Sequence, residues 1–222
     1  MKKFLFTATL LISSTFIFAQ AKFGVKAGVN FANMTIKANG SDIGISPASL
    51  TSFHIGGFGE FPLSSTIYLQ PGLSLSGKGF KIDESESEPG FSYSQKSTLK
   101  LLYLEIPLNF LAKFPAGSGK FFIGGGPYLA LGISGNAKND EKLDAPGTVD
   151  DYAESSDEDV KFGSKDEEVK PLDFGLNILT GYELANGLFI NANYGLGLST
   201  TNNEQNINIK NKVVSLSIGF KF

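Results

Sequence analysis

The chain has 222 residues, with 19 basic against 22 acidic side chains and no cysteine. Every basic residue is lysine, so the guanidinium fork favoured for phosphate and base recognition is missing, and a net charge of −3 excludes a basic nucleic-acid footprint. Without a thiol there is no disulfide framework, no thiolate metal site and no lipidated N-terminal Cys.

Met1, Lys2 and Lys3 give a positive start, and residues 4–18 are apolar apart from small hydroxyl residues. Ala19-Gln20-Ala21 supplies the small-x-small pattern of signal peptidase, so 1–21 is expected to be a signal peptide cleaved after Ala21. The apolar part falls short of the roughly 20 residues a spanning helix needs. Without Lys2 and Lys3, 17 lysines face 22 acids, a net −5.

From residue 22 onward, apolar residues recur at every second position, the mark of strands with one apolar face. The first run, 22–35, sets Phe23, Val25, Ala27, Val29 and Phe31 against Gly24, Lys26, Gly28 and Asn30. The second, 52–61, sets Phe53, Ile55 and Phe61 against His54, Gly56 and Glu60, with Phe58 breaking the pattern. The third, 66–80, alternates Ile67, Leu69, Pro71, Leu73 and Leu75 with Tyr68, Gln70, Gly72, Ser74 and Ser76. The fourth, 97–113, sets Leu102, Leu104, Ile106, Leu108 and Phe110 against Glu105, Pro107 and Asn109. The fifth and sixth span 120–134 and 170–184. The seventh, 187–200, and the eighth, 212–222, end the series, the last with Val214, Leu216, Ile218, Phe220 and Phe222 on one face.

These runs exceed the five or six residues usual in soluble strands and match the roughly 9–11 needed to cross a bilayer with tilt. Connections 62–65, 115–119 and 185–186 are tight, whereas 36–51, 81–96, 135–169 and 201–211 are long and polar. That asymmetry is expected of an outer-membrane barrel, with short periplasmic turns and long extracellular loops. In hydrocarbon every backbone polar group must be paired, so a sheet spans only as a closed ring. The expected fold is an all-β, eight-stranded antiparallel transmembrane β-barrel of up-and-down topology over residues 22–222. Both termini are expected on the periplasmic side, and the lumen is just wide enough for side chains to fill.

The closing residues VVSLSIGFKF, ending on Phe222, look like the signal by which the outer-membrane insertion machinery recognises barrels. The pieces FGVKAGVNFANM, FGEFPLSSTIYLQPGLSLSGKG, LYLEIPLNFLAKF, FFIGGGPYLALGI and DFGLNILTGYEL, with the final strand, resemble the outer-membrane β-barrel family of Bacteroidota labelled porin-family or PorT-family proteins. The resemblance implies an outer-membrane location and an eight-stranded barrel. It implies no catalytic or ligand-binding residues, because the family has no single activity.

His54, the only histidine, invites a general-base reading, which needs a nucleophile and an orienting group. No G-x-S-x-G turn is present, and a packing role in the lumen or at its rim is expected instead. Residues 139–169 hold 12 acids against three lysines, a net −9, so Asp150, Asp151, Asp157, Glu158 and Asp159 are candidate cation ligands. The EF-hand order is absent, and the plainer expectation is a solvated loop held open by its charge. Gly124-Gly125-Gly126 lies inside a strand and reads as backbone relief, not a phosphate loop. Lys26, Glu60, Glu105, Asp173 and Lys221 are expected to form a luminal charge network, and Phe23, Phe61, Phe80, Phe121, Tyr182 and Phe222 to form interfacial girdles. The expected protein is non-enzymatic, without cofactor, and acts through its extracellular loops. A narrow channel and a PorT-like accessory role in secretion are the alternatives. Expected partners are outer-membrane lipid and the insertion machinery, not nucleic acid.

Overall fold

Alternation becomes strand along most of the chain. The computed structural model describes residues 21–42, 44, 47–89, 91–144 and 152–222, so the expected signal segment up to residue 20 lies outside them, as do Asp150 and Asp151. The described residues form ten strands: β1 (Lys22–Ala38), β2 (Ser41–Asp42), β3 (Leu50–Pro62), β4 (Ile67–Glu88), β5 (Phe91–Ala116), β6 (Gly119–Asp144), β7 (Tyr152–Asp159), β8 (Leu172–Glu183), β9 (Leu188–Gly197) and β10 (Ile207–Lys221). Eight of them, β1, β3, β4, β5, β6, β8, β9 and β10, each pair antiparallel with the next. The ring closes through β1 and β10, in register from Gly24↔Lys221 to Ala38↔Ile207. This is the expected eight-stranded barrel, and closure leaves no open edge along the wall.

Outward positions carry the apolar belt. Val25, Phe53, Ile55, Leu73, Ile106, Leu216 and Ile218 are all more than half exposed, a pattern stable in lipid and unfavourable in water. Ile178 sits midway along β8 and is 62% exposed. Ile178→Lys is therefore expected to cost about 2–4 kcal/mol in a bilayer, the penalty for a cation near the midplane. Loss of the compact, fast-migrating gel band at lower urea would register it; unchanged stability would place the belt outside lipid.

The long loops differ from expectation. The expected loop 81–96 is a hairpin, because β4 and β5 pair without interruption up to Glu88↔Phe91. The expected loop 135–169 is also largely ordered: β6 runs on to Asp144, β7 pairs with it from Asn136↔Asp159 to Leu143↔Tyr152, and 160–169 folds back on the barrel mouth. These stretches are polar on both faces, so alternation of hydrophobicity could not reveal them. They are strands because they prolong ladders already started in the belt.

Phe58 corrects a second expectation. It does not break the alternation; it occupies an inward position between outward Gly57 and Gly59, and is 8% exposed. Phe80, expected in a girdle, also turns inward, against the Met34–Tyr103 cluster. Gly124, Gly125 and Gly126 sit mid-strand where an added Cβ would meet carbonyl oxygens of Phe110, Asn177 and Leu108, which accounts for three glycines in a row.

Candidate functional site: a layered lumen and a projecting sheet

Inward side chains fill the ring in layers, taken here from the short-turn end. The first is a square of charges. Lys113 Nζ lies 2.6 Å from both Glu60 Oε2 and Glu183 Oε2, and Lys221 Nζ lies 2.8 Å from Glu60 Oε1 and 2.5 Å from Glu183 Oε1. Each charge meets two of the opposite sign, the geometry that offsets desolvation. The second layer is apolar: Phe58, Leu111, Phe122, Leu179 and Phe189. Phe189 meets Phe58 edge-on at 5.6 Å and Phe122 at 6.4 Å. The rings fit because a Cβ on Gly24, Gly181 or Gly219 would collide with Phe58, Phe122 or Phe189 respectively.

Above it lies a neutral polar layer. His54 Nδ1 is 2.7 Å from Asn30 Oδ1 and Nε2 is 2.8 Å from Ser217 Oγ, while Ser215 Oγ donates to the same Asn30 oxygen at 2.8 Å. Ser217, His54 and Asn30 thus stand in the order of nucleophile, base and orienting group. A luminal cavity of about 20 Å³ nearby is lined by Lys26, Gln70, the first layer and the aromatic rings, not by His54 or Ser217, and holds about one water. The fourth layer centres on Lys78, 2.9 Å from Glu105 and 3.0 Å from Asp173. Tyr128 Oη, Asn211 Nδ2 and Ser199 Oγ also donate to Asp173, at 3.2, 3.0 and 2.9 Å. Met34, Leu101, Tyr103, Tyr128 and Ala130 form the last, apolar layer, which Phe162 caps edge-on over Tyr103 at 6.0 Å.

Four of the five residues anticipated from sequence meet in ion pairs or hydrogen bonds in the lumen, and Lys26 lines the cavity beside them. Glu60 and Lys221 join one cluster, Glu105 and Asp173 the other, and Lys26 lies within electrostatic reach of Glu105. Sequence reasoning missed Lys78, Lys113 and Glu183, although each continues the inward parity of its strand. With them, four lysines and four carboxylates face the lumen among the described residues.

Beyond the belt, the long ends of β4, β5, β6 and β7 make a four-stranded sheet. Near its tip, Tyr93 and Tyr152 both donate to Glu141 Oε1, at 3.1 and 2.6 Å. That carboxylate pushes the Tyr152 phenol up to about 12. Ser155 and then Lys138 hold Asp140 below its ordinary value through hydrogen bonds. Of the candidate cation ligands, Asp150 and Asp151 lie outside the described residues, and the other three are divided between two faces. Asp157 and Asp159 point to one face of β7 and Glu158 to the other, as strand alternation requires, and Asp157 bonds Asn136. No group of three or more His, Cys, Asp or Glu able to hold a metal occurs among the described residues.

A family model described as outer membrane protein beta-barrel domain matches residues 18–203. No curated protein matches the chain. Among solved structures, Ail, the attachment invasion locus protein of Yersinia pestis, is 13% identical, covering 91% of this chain and 99% of that one, with a TM-score of 0.39. Neisserial surface protein A is 16% identical over 91% and 99%, with a TM-score of 0.37. OprG of Pseudomonas aeruginosa is 9% identical over 91% and 96%, with a TM-score of 0.30. The matched span takes in most of the ring, and the chain belongs to the outer membrane protein β-barrel domain family.

Proposed function

We propose that this outer-membrane barrel is non-enzymatic and works through the sheet that projects from its long-strand end, in surface interaction or envelope support. The observation that carries this reading is the contrast between the two parts. Charged, aromatic and polar layers fill the lumen, while β4 to β7 stand clear of the belt with both faces polar. On this reading 1–21 is a signal peptide, the short turns and both chain ends face the periplasm, and the sheet faces outward. Lipid covers the belt, and the insertion machinery engages β10 through its alternating apolar face. The Bacteroidota, PorT-type kinship rests on the sequence pieces quoted above, and an accessory role in secretion would use the same sheet. On this reading the Ser217–His54–Asn30 relay is packing, its three side chains buried and hydrogen-bonded to one another inside the lumen.

Planar-bilayer recordings of the purified protein are expected to show no conductance steps; resolved steps would favour a narrow channel instead. A pull-down from outer membranes, run with the intact chain and with one whose β4–β7 tips are shortened, tests the surface role. A partner held only by the intact chain is the expected result, and identical catches would sink it.

A further inference from the structure

The projecting sheet ends sideways on β7, and that edge is open. β7 pairs with β6 alone, and among the described residues no backbone hydrogen bond meets its other side. Val160 N–H donates to Gly135 O, which continues the register of Asn136↔Asp159 and fixes the phase of the ladder. Even-numbered residues of β7 therefore bond inward to β6. Odd-numbered Ala153, Ser155, Asp157 and Asp159 turn their N–H and C=O groups to the free edge, a template for one more strand. All of β7 except Ser156 is exposed.

Charge decides what can pair there. β7 carries Glu154, Asp157, Glu158 and Asp159 and no lysine, and none of these acids makes an ion pair among the described residues. The row Glu84–Gln95–Glu141–Glu154 crosses the sheet on the face that also holds Glu158. Glu86 and Glu88 continue that face toward the tip, and from Phe80 upward its strands hold no lysine. Lys161 and Lys165 border it only at its foot, in the hollow beside Glu158. The other face is mixed, with Lys138 across from Asp157 and Lys142 across from Ala153. A second copy of the chain is a poor fit. β7 against β7, or against the acidic end of β4, would set carboxylates opposite one another.

We infer that β7 accepts an extended segment of another protein as a fifth strand, with lysine or arginine at every second residue. Backbone bonds along the edge supply affinity, and the glutamate face selects cations on one side of the added strand. The alternate side chains of that segment meet the mixed face, where small neutral residues fit both signs of charge. This edge gives the surface role proposed above its contact, and the assignment rests on that reading.

Fluorescence anisotropy of a labelled, alternating lysine–threonine octapeptide, titrated with the full barrel in detergent, tests the assignment. Saturable binding is expected, and Glu154→Gln/Glu158→Gln is expected to weaken it about tenfold. Methylating every backbone nitrogen of the peptide keeps its charge and removes its ladder donors, with a loss of about tenfold or more expected. Ser155→Pro removes one edge donor and leaves the bonds to β6 in place, so a similar loss is expected while the fast-migrating gel band stays unchanged. Equal binding of the methylated peptide, or of a glutamate–threonine octapeptide, would overturn the proposal. The outer-membrane pull-down separates this edge from the wider surface role. A partner lost with the shortened tips but kept by Ser155→Pro would sink the edge and leave that role standing.

Discussion

Replacing Lys78 with methionine is expected to destabilise the barrel by about 3–5 kcal/mol, the usual cost of removing one partner from a buried ion pair. Lys78 is 2% exposed and serves two carboxylates at once, Glu105 and Asp173. Its ammonium also lies 4.2 Å from the Tyr128 ring centre and 5.2 Å from that of Tyr103, contacts that add to the loss. Without it, fully buried Asp173 keeps only the neutral donors of Tyr128, Asn211 and Ser199. Thermal unfolding in detergent, followed by disappearance of the fast-migrating gel band, measures the effect. A midpoint equal to that of the unaltered protein would count against the ion pair as a structural element. Adding Glu105→Gln and Asp173→Asn removes the stranded charges and is expected to restore most of the loss. That recovery would separate an electrostatic cause from a packing one.

Phe189→Ala is expected to cost a similar amount, about 3–5 kcal/mol, and to loosen the seal of the lumen. Phe189 is the shared member of the two edge-on ring contacts, and the space it leaves would lie between the charged square and the polar layer around His54. Gly219 has no Cβ to take its place. The expected results are an earlier thermal midpoint and brief conductance events in planar bilayers. A variant as stable as the original would show that the wall collapses onto the gap. A variant that is destabilised yet silent would place the seal in the charged square or in the Tyr103–Phe162 cap.

Which residues face in and which face out was legible from sequence because the side-chain period of a strand is two, and membrane strands must keep it over their whole length. Val25, Ile55, Leu73 and Leu216 obeyed that rule directly. Phe58 and Phe80 keep the same period, but their direction was not legible, since an apolar residue satisfies lipid and a dry plug equally well. Only the ring decides, by bringing Phe58 against Phe189 across the lumen and Phe80 against the Met34 cluster.

The charged residues divide in the same way. Parity put Glu60, Glu105, Asp173 and Lys221 in the lumen, but no local pattern could pair Lys221 with Glu60, 161 residues away, or Lys78 with Asp173, 95 away. Those partnerships follow from ring closure and from heights set by register. The projecting sheet was invisible for a different reason. Strands in water need no apolar face once a neighbour supplies the ladder, so Asp83 to Glu88 and Asp140 to Asp144 read as loops. The sequence by itself determined a closed eight-stranded barrel with an apolar exterior, because alternation and the demand for paired backbone allow little else. Tertiary structure alone decided how the lumen is filled, which charges meet, and that the acidic segments stand out from the wall as a sheet, because those depend on contacts between strands far apart in the chain.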